Sequence, residues 1–231
     1  MGKHSLGLVP RRLGLRHFSA VQLLITLGLL FFFFPFVEEI KGGDLIVSLL
    51  LSLVLLSAVL AVSDRKGVLL IALVLLIPAI GGRWINHFRP DLVHPAVFLT
   101  AALVLVAFVV VNLLRFVWRA PSVNAEVLCA SISAYLMLGL MWTMAYWLVD
   151  QLTPGGAFSF NTNAGPRSMN GFTGFYFSFV TLSTVGYGDI TPVSKVARML
   201  AAMEAMTGLL YVAVLIARLV ALYSTPKSND S

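Results

Sequence analysis

Charge is what this sequence has least of. Lysine, arginine, aspartate and glutamate make up 11% of its 231 residues, against about a quarter in ordinary soluble domains. A chain so short of charge lacks the polar surface of a water-soluble fold, and its 59% hydrophobic content points to a membrane protein. Cysteine is nearly absent. Cys129 stands alone, which excludes an intrachain disulfide, and its neighbours Val127, Leu128 and Ala130 mark it as a buried thiol. The four histidines, His4, His17, His87 and His94, are scattered without ligand spacing, so no side-chain metal centre is expected. No nucleophile–base group stands out, so an enzyme is not expected. Long polar stretches are missing as well: about eight residues follow Tyr223, too few for a nucleotide- or calcium-binding domain. Regulation is therefore expected from the membrane, ions, pH, tension or separate proteins.

What the chain does contain is a series of apolar runs. Spanning a bilayer takes about 20 mostly apolar residues, and six such segments can be drawn: 18–37, 45–62, 68–85, 96–118, 125–148 and 196–223. The first follows Lys3, Arg11, Arg12 and Arg16 but is longer than the core of a signal peptide and lacks a cleavage site, so it reads as a retained span. The third is short and holds Pro78 and the Gly81–Gly82 pair, and charge parity argues that it still crosses. With six crossings both termini share one side. That side collects Lys3, Arg11, Arg12, Arg16, Asp64, Arg65, Lys66, Arg115, Arg119, Glu126, Arg218, Lys227 and Asp230, a net of +7. The opposite loops hold Glu38, Glu39, Lys41 and Asp44, then Arg83, Arg89 and Asp91, and finally the cancelling pair Asp150 and Arg167. The positive-inside rule then places both termini in the cytoplasm, in a cell (plasma or inner) membrane. The formal charge of +6 and pI of 9.8 are explained by this distribution, and no nucleic-acid partner is expected.

Between the fifth and sixth segments the pattern changes. Residues 151–174 contain the turn clusters Thr153-Pro154-Gly155-Gly156 and Asn161-Thr162-Asn163-Ala164-Gly165-Pro166. The apolar stretch 175–182 that follows is too short to cross, as a re-entrant helix over about 173–183 would be. Directly after it comes Thr184-Val185-Gly186-Tyr187-Gly188-Asp189. A dehydrated cation in a bilayer needs oxygens in place of water, and consecutive peptide carbonyls supply them if all face one axis. Ordinary L-residues avoid the positive φ this requires, and glycine at alternate positions, here Gly186 and Gly188, removes the penalty. Val185 and Tyr187 are expected to point back into protein. The short helix would aim its partly negative C-terminal end at the ion path.

The six-residue string resembles, without a mismatch, the signature selectivity filter of the potassium channel superfamily, and the resemblance extends over roughly 126–223. It implies an all-α membrane protein with six transmembrane helices, a re-entrant pore helix and a filter between the fifth and sixth. The implied ligands for K+, the permeant ion and sole cofactor-like species, are Thr184, Val185, Gly186 and Tyr187. Tyr176 and Phe177 resemble the family's aromatic cuff, and Gly208, nineteen residues after Asp189, matches its inner-helix hinge; close helix packing is the alternative reading of that glycine. One loop supplies a quarter of each ring, so a homotetramer surrounded by membrane lipids is expected. The implied organisation is a basic tail over 1–17, a four-helix region over 18–119, a pore domain over 120–223 and a short tail over 224–231.

Two features lie outside that string. Glu204 is a carboxylate within an apolar span, where ionisable groups are costly. It is expected to support the filter through Thr181 or Ser183, or to sense protons. The fourth segment, by contrast, has no Arg or Lys between Ala96 and Leu114, so weak or absent voltage dependence is expected. A less selective cation channel and a non-conducting membrane scaffold are the alternative readings.

Overall fold

The computed structural model describes residues 14–37, 40–62, 66–89, 91–92, 94–161, 168–169 and 171–224. Several charges used in the topology reading, among them Lys3, Arg11, Arg12, Glu38, Glu39, Asp64, Arg65, Arg167, Lys227 and Asp230, lie outside those residues, as do most of both tails. Among the described residues, six helices are long and apolar enough to cross a membrane: α1 (Gly14–Val37), α2 (Gly43–Ala61), α3 (Lys66–Phe88), α4 (Pro95–Arg119), α5 (Ala125–Leu152) and α7 (Lys195–Ser224). The short helix α6 (Gly171–Leu182) stands between α5 and α7, flanked by the strands β1 (Phe158–Phe160) and β2 (Ile190–Pro192).

Local chemistry sets several of these boundaries. Pro95 occupies the first turn of α4, where its missing N–H costs nothing, and His94 Nδ1 accepts from the Ala96 N–H at 3.3 Å. Asn124 caps α5, its Oδ1 accepting from the Val127 N–H at 2.9 Å. The α5 helix runs to Leu152, past the expected end at 148, because Asp150 and Gln151 sit at its last turn with Asp150 Oδ1 accepting from the Ala157 N–H at 2.7 Å. Pro78 does not stop α3, which continues to Phe88; that helix lies at the edge of the bundle with Leu70, Val74 and Ile77 exposed.

Packing follows the sequence stripes. On α1 the buried residues Ala20, Leu23, Leu27, Leu30, Phe34 and Val37 recur at alternating steps of three and four, a narrow seam of coiled-coil type. The opposite face stays open, Phe32 and Phe36 being 65% and 63% exposed, which is the arrangement expected where the surrounding medium is lipid. The α1 helix lies on α2 and α5, α4 lies on α3 and α5, and α6 is held between α5 and α7. The pair β1–β2 is antiparallel, with Phe158 opposite Pro192 and Phe160 opposite Ile190. These strands correct the reading of 151–174 as turns alone: three-residue strands leave no periodicity to detect.

Candidate functional site

Helix α6 is seated by aromatic contacts and by glycines that let backbones approach. Phe175 and Phe179 meet Phe31 of α1 at ring-centroid distances of 4.7 and 4.5 Å. A Cβ on Gly139 of α5 would fall 2.1 Å from the Phe179 ring, and one on Gly174 would fall 2.2 Å from Trp147 Nε1. The two glycines therefore allow α5 and α6 to touch closely.

The chain leaves α6 through a Schellman turn. The Thr184 N–H donates to the Thr181 carbonyl at 2.9 Å and the Val185 N–H to the Val180 carbonyl at 3.0 Å. The left-handed position of this motif usually falls to glycine, yet here Thr184 takes it at φ 60°. For a β-branched residue this is a strained conformation, costing about 1–2 kcal/mol. Positive φ then recurs at Gly186 (55°) and Gly188 (78°), so every second residue from 184 to 188 is left-handed. Positive φ is expected from the sequence at the two glycines; at Thr184, expected only as an oxygen ligand, it is not.

Alternating handedness turns successive peptide groups the same way. The Gly186 N–H follows that of Val185 back to the Val180 carbonyl, at 3.3 Å. The carbonyls of Thr184, Val185, Gly186 and Tyr187 accept no hydrogen bond among the described residues. These are four consecutive backbone acceptors without a partner, on an exposed stretch of the single chain. Val185 and Tyr187 are 52% and 72% exposed, so their expected burial is not achieved within one chain.

At the far end of the strand the geometry tightens again. Asn161, just after β1, donates its Nδ2 to the Gly188 carbonyl and its backbone N–H to the Asp189 carbonyl, both at 2.8 Å. The Tyr176 hydroxyl lies near the Asp189 carboxylate. Asn161 was read only as part of a turn. Replacing it by alanine removes one of the two bonds; the protein is expected to melt about 3 °C lower, the equivalent of one hydrogen bond, and unchanged melting would show that the Asn161 side chain does not hold this end.

Comparison with known proteins bears on this region. Residues 140–225 match the family model described as Ion channel. This stretch is similar to ion-channel domains. The voltage-gated potassium channel Kch of Escherichia coli (strain K12) is 52% identical over 44 residues, which is 19% of this chain and 11% of that relative's length. No solved structure matches. The likeness to the potassium channel superfamily noted in the sequence holds in both matches, and with six span-like helices the chain is a multi-pass membrane protein.

Within the matched region Glu204 has different partners from those expected. Its side chain is fully buried. Oε1 accepts from the Ser178 hydroxyl at 2.6 Å and Oε2 from the Tyr146 hydroxyl. Neither Thr181 nor Ser183 reaches it; the Ser183 hydroxyl turns back to the Phe179 carbonyl at 2.6 Å. The correction has a simple cause. On α6, Ser178 is one turn nearer the middle of the helix and faces α5 and α7, whereas Ser183 lies at the exposed end. One carboxylate thus ties α5, α6 and α7 together.

Phe177 is buried against Tyr146 and Phe158, at 5.0 and 5.3 Å between ring centroids, so it packs α6 onto α5 and β1. Gly208 lies within an unbroken helix, and a Cβ there would fall 2.0 Å from the Leu182 carbonyl oxygen. Contact between α7 and the end of α6 by itself requires glycine at this position.

Proposed function

We propose that the protein is a potassium-selective channel subunit that works as a homotetramer and conducts K+ passively. The observation that carries this reading is the row of four unpaired carbonyls on a strand of alternating handedness. Four copies about one axis would stack those oxygens into rings that replace the hydration shell of K+, with the Thr184 hydroxyl at the inner end. In this reading α6 is the pore helix, α7 the inner helix and Glu204 a support that holds the pore helix between its neighbours. The exposure of Val185, Tyr187 and the α7 residues Met199, Met206 and Leu209 fits surfaces that adjacent subunits would cover.

Opening would involve the cytoplasmic half of α7, with both termini on that side. Below Gly208 two bonds would have to yield: the Tyr211 hydroxyl to the Ser131 carbonyl at 2.6 Å, and Arg218 to the Ala120 carbonyl at 2.9 Å. Voltage is a poor candidate for the stimulus, although the bacterial relative is named for it. Each charge moved through the field contributes about 2.3 kcal/mol per 100 mV, and α4 carries only Arg115 and Arg119, both exposed at its last turns beside Trp118. That is where topology alone puts cations and tryptophan.

Planar-bilayer recording of purified protein under opposed potassium and sodium gradients tests the proposal. The reversal potential is expected to track the potassium gradient and the conductance–voltage relation to be shallow. Reversal near zero would replace the selective channel by a non-selective one, and absence of current by a scaffold.

A further inference from the structure

A second feature of chemical interest lies away from the ion path. A cavity of about 260 Å³ opens between helices α1–α4 and the α5–α6 connection. Phe34, Val47, Phe98, Leu99 and Met169 give it apolar walls, and Asp44, Arg83, Asn86 and Gln151 bring polar groups. It sits at the ends of the spanning helices, at headgroup depth. Helices α2, α4 and α6 begin around it while α1, α3 and α5 finish there, so helix dipoles of both signs meet and the side chains decide what binds.

Arg83 is the unusual member. It lies in the last turns of α3, where a cation turned toward the bundle is costly unless something receives it. Its Nε donates to Ser48 Oγ of α2 at 3.0 Å, and Ser48 is 3% exposed, which fixes the root of the guanidinium. Its two terminal nitrogens donate to nothing among the described residues. Asp44, one turn from Ser48, faces the same cavity without forming an ion pair with Arg83. An anchored cation and an exposed carboxylate, which attract one another without forming an ion pair, therefore line one small space.

We infer that this cavity binds the headgroup of a zwitterionic phospholipid carrying a primary ammonium, a phosphoethanolamine, with Arg83 receiving the phosphodiester and Asp44 the ammonium. The guanidinium fork matches two phosphate oxygens. The carboxylate disfavours a multiply charged free phosphate and favours a group with N–H donors of its own. The volume lies just below the range of small-molecule sites, about 300–1,000 Å³, enough for a headgroup whose acyl chains run along the exposed apolar helix faces. The inference does not depend on which ion the channel conducts.

Native mass spectrometry of the full-length protein, exposed to equal amounts of phosphatidylethanolamine, phosphatidylcholine and phosphatidylglycerol, provides the test. The wild type is expected to retain the ethanolamine lipid about tenfold over the other two, the equivalent of one charge-assisted hydrogen bond. Arg83→Gln should bring it down to the choline level. Asp44→Asn should keep phospholipid bound and erase the preference for ethanolamine over choline. Excess inorganic phosphate should displace nothing. Equal retention of the three lipids, preference for the glycerol headgroup, unchanged retention in Arg83→Gln, or displacement by inorganic phosphate would each overturn the assignment. If Arg83→Gln does not fold, the headgroup series on the wild type decides alone.

Discussion

Alanine at Gly208 is expected to abolish ion flux and to lower the melting temperature of the assembled protein. The added methyl would lie 2.0 Å from the Leu182 carbonyl oxygen and 2.9 Å from its carbon. Both are backbone atoms at the end of α6, with no side-chain rotamer to absorb the clash. Helix α7 would have to retreat by more than about an ångström, since ordinary contacts start near 3.5 Å. That retreat would carry Glu204, one turn away, off Ser178. Overpacking of this kind costs about 1–3 kcal/mol, which corresponds to a loss of roughly 5 °C in a chain of this size. Calorimetry beside rubidium flux separates the two readings of this glycine. A hinge alone predicts lost flux with unchanged melting; close packing predicts that both fall. Wild-type behaviour in both would show that α7 does not rest on α6 in the assembled protein.

Gly186→Ala is expected to lower flux by at least about a hundredfold while leaving folding and assembly intact. Gly186 sits at φ 55° with nothing within 4 Å of a built Cβ, so the change introduces backbone strain without a clash. The left-handed region costs an L-residue about 1–2 kcal/mol, and a ring of four would incur it four times, on the order of 6 kcal/mol. That is enough to favour a strand whose Val185 and Gly186 carbonyls turn aside. An unaltered oligomer on size exclusion with lost flux would locate the defect in the strand. Retained flux would mean that left-handed geometry at this position is dispensable, and the carbonyl rings with it.

The sequence made the six long helices legible because each is an apolar run of nearly bilayer length, and their ends shifted by a few residues where polar side chains continue or cap a helix, as Asp150 does for α5. The position of 184–189 after a short apolar helix was equally legible. The fine structure was not. Threonine at a left-handed helix terminus breaks the usual rule, and nothing local announces that Thr184 accepts the strain. The Glu204 partners Tyr146 and Ser178 are 58 and 26 residues away along the chain, and pairing them needs the packing angle of three helices. Proximity to the ion path suggested Thr181 and Ser183; helical facing selected Ser178. Asn161 was hidden for a related reason, since the Gly188 carbonyl that its side chain reaches lies 27 residues later.

The order of those partners along the chain matters for biogenesis. Tyr146 and Ser178 are synthesised before Glu204, so by the time the last helix emerges its carboxylate has two hydroxyl donors already waiting among the earlier segments. A lone helix with an acid at its middle partitions poorly into hydrocarbon. Insertion of the final segment is therefore expected to draw on its neighbours, and replacing both Tyr146 by Phe and Ser178 by Ala should lower its insertion efficiency during synthesis.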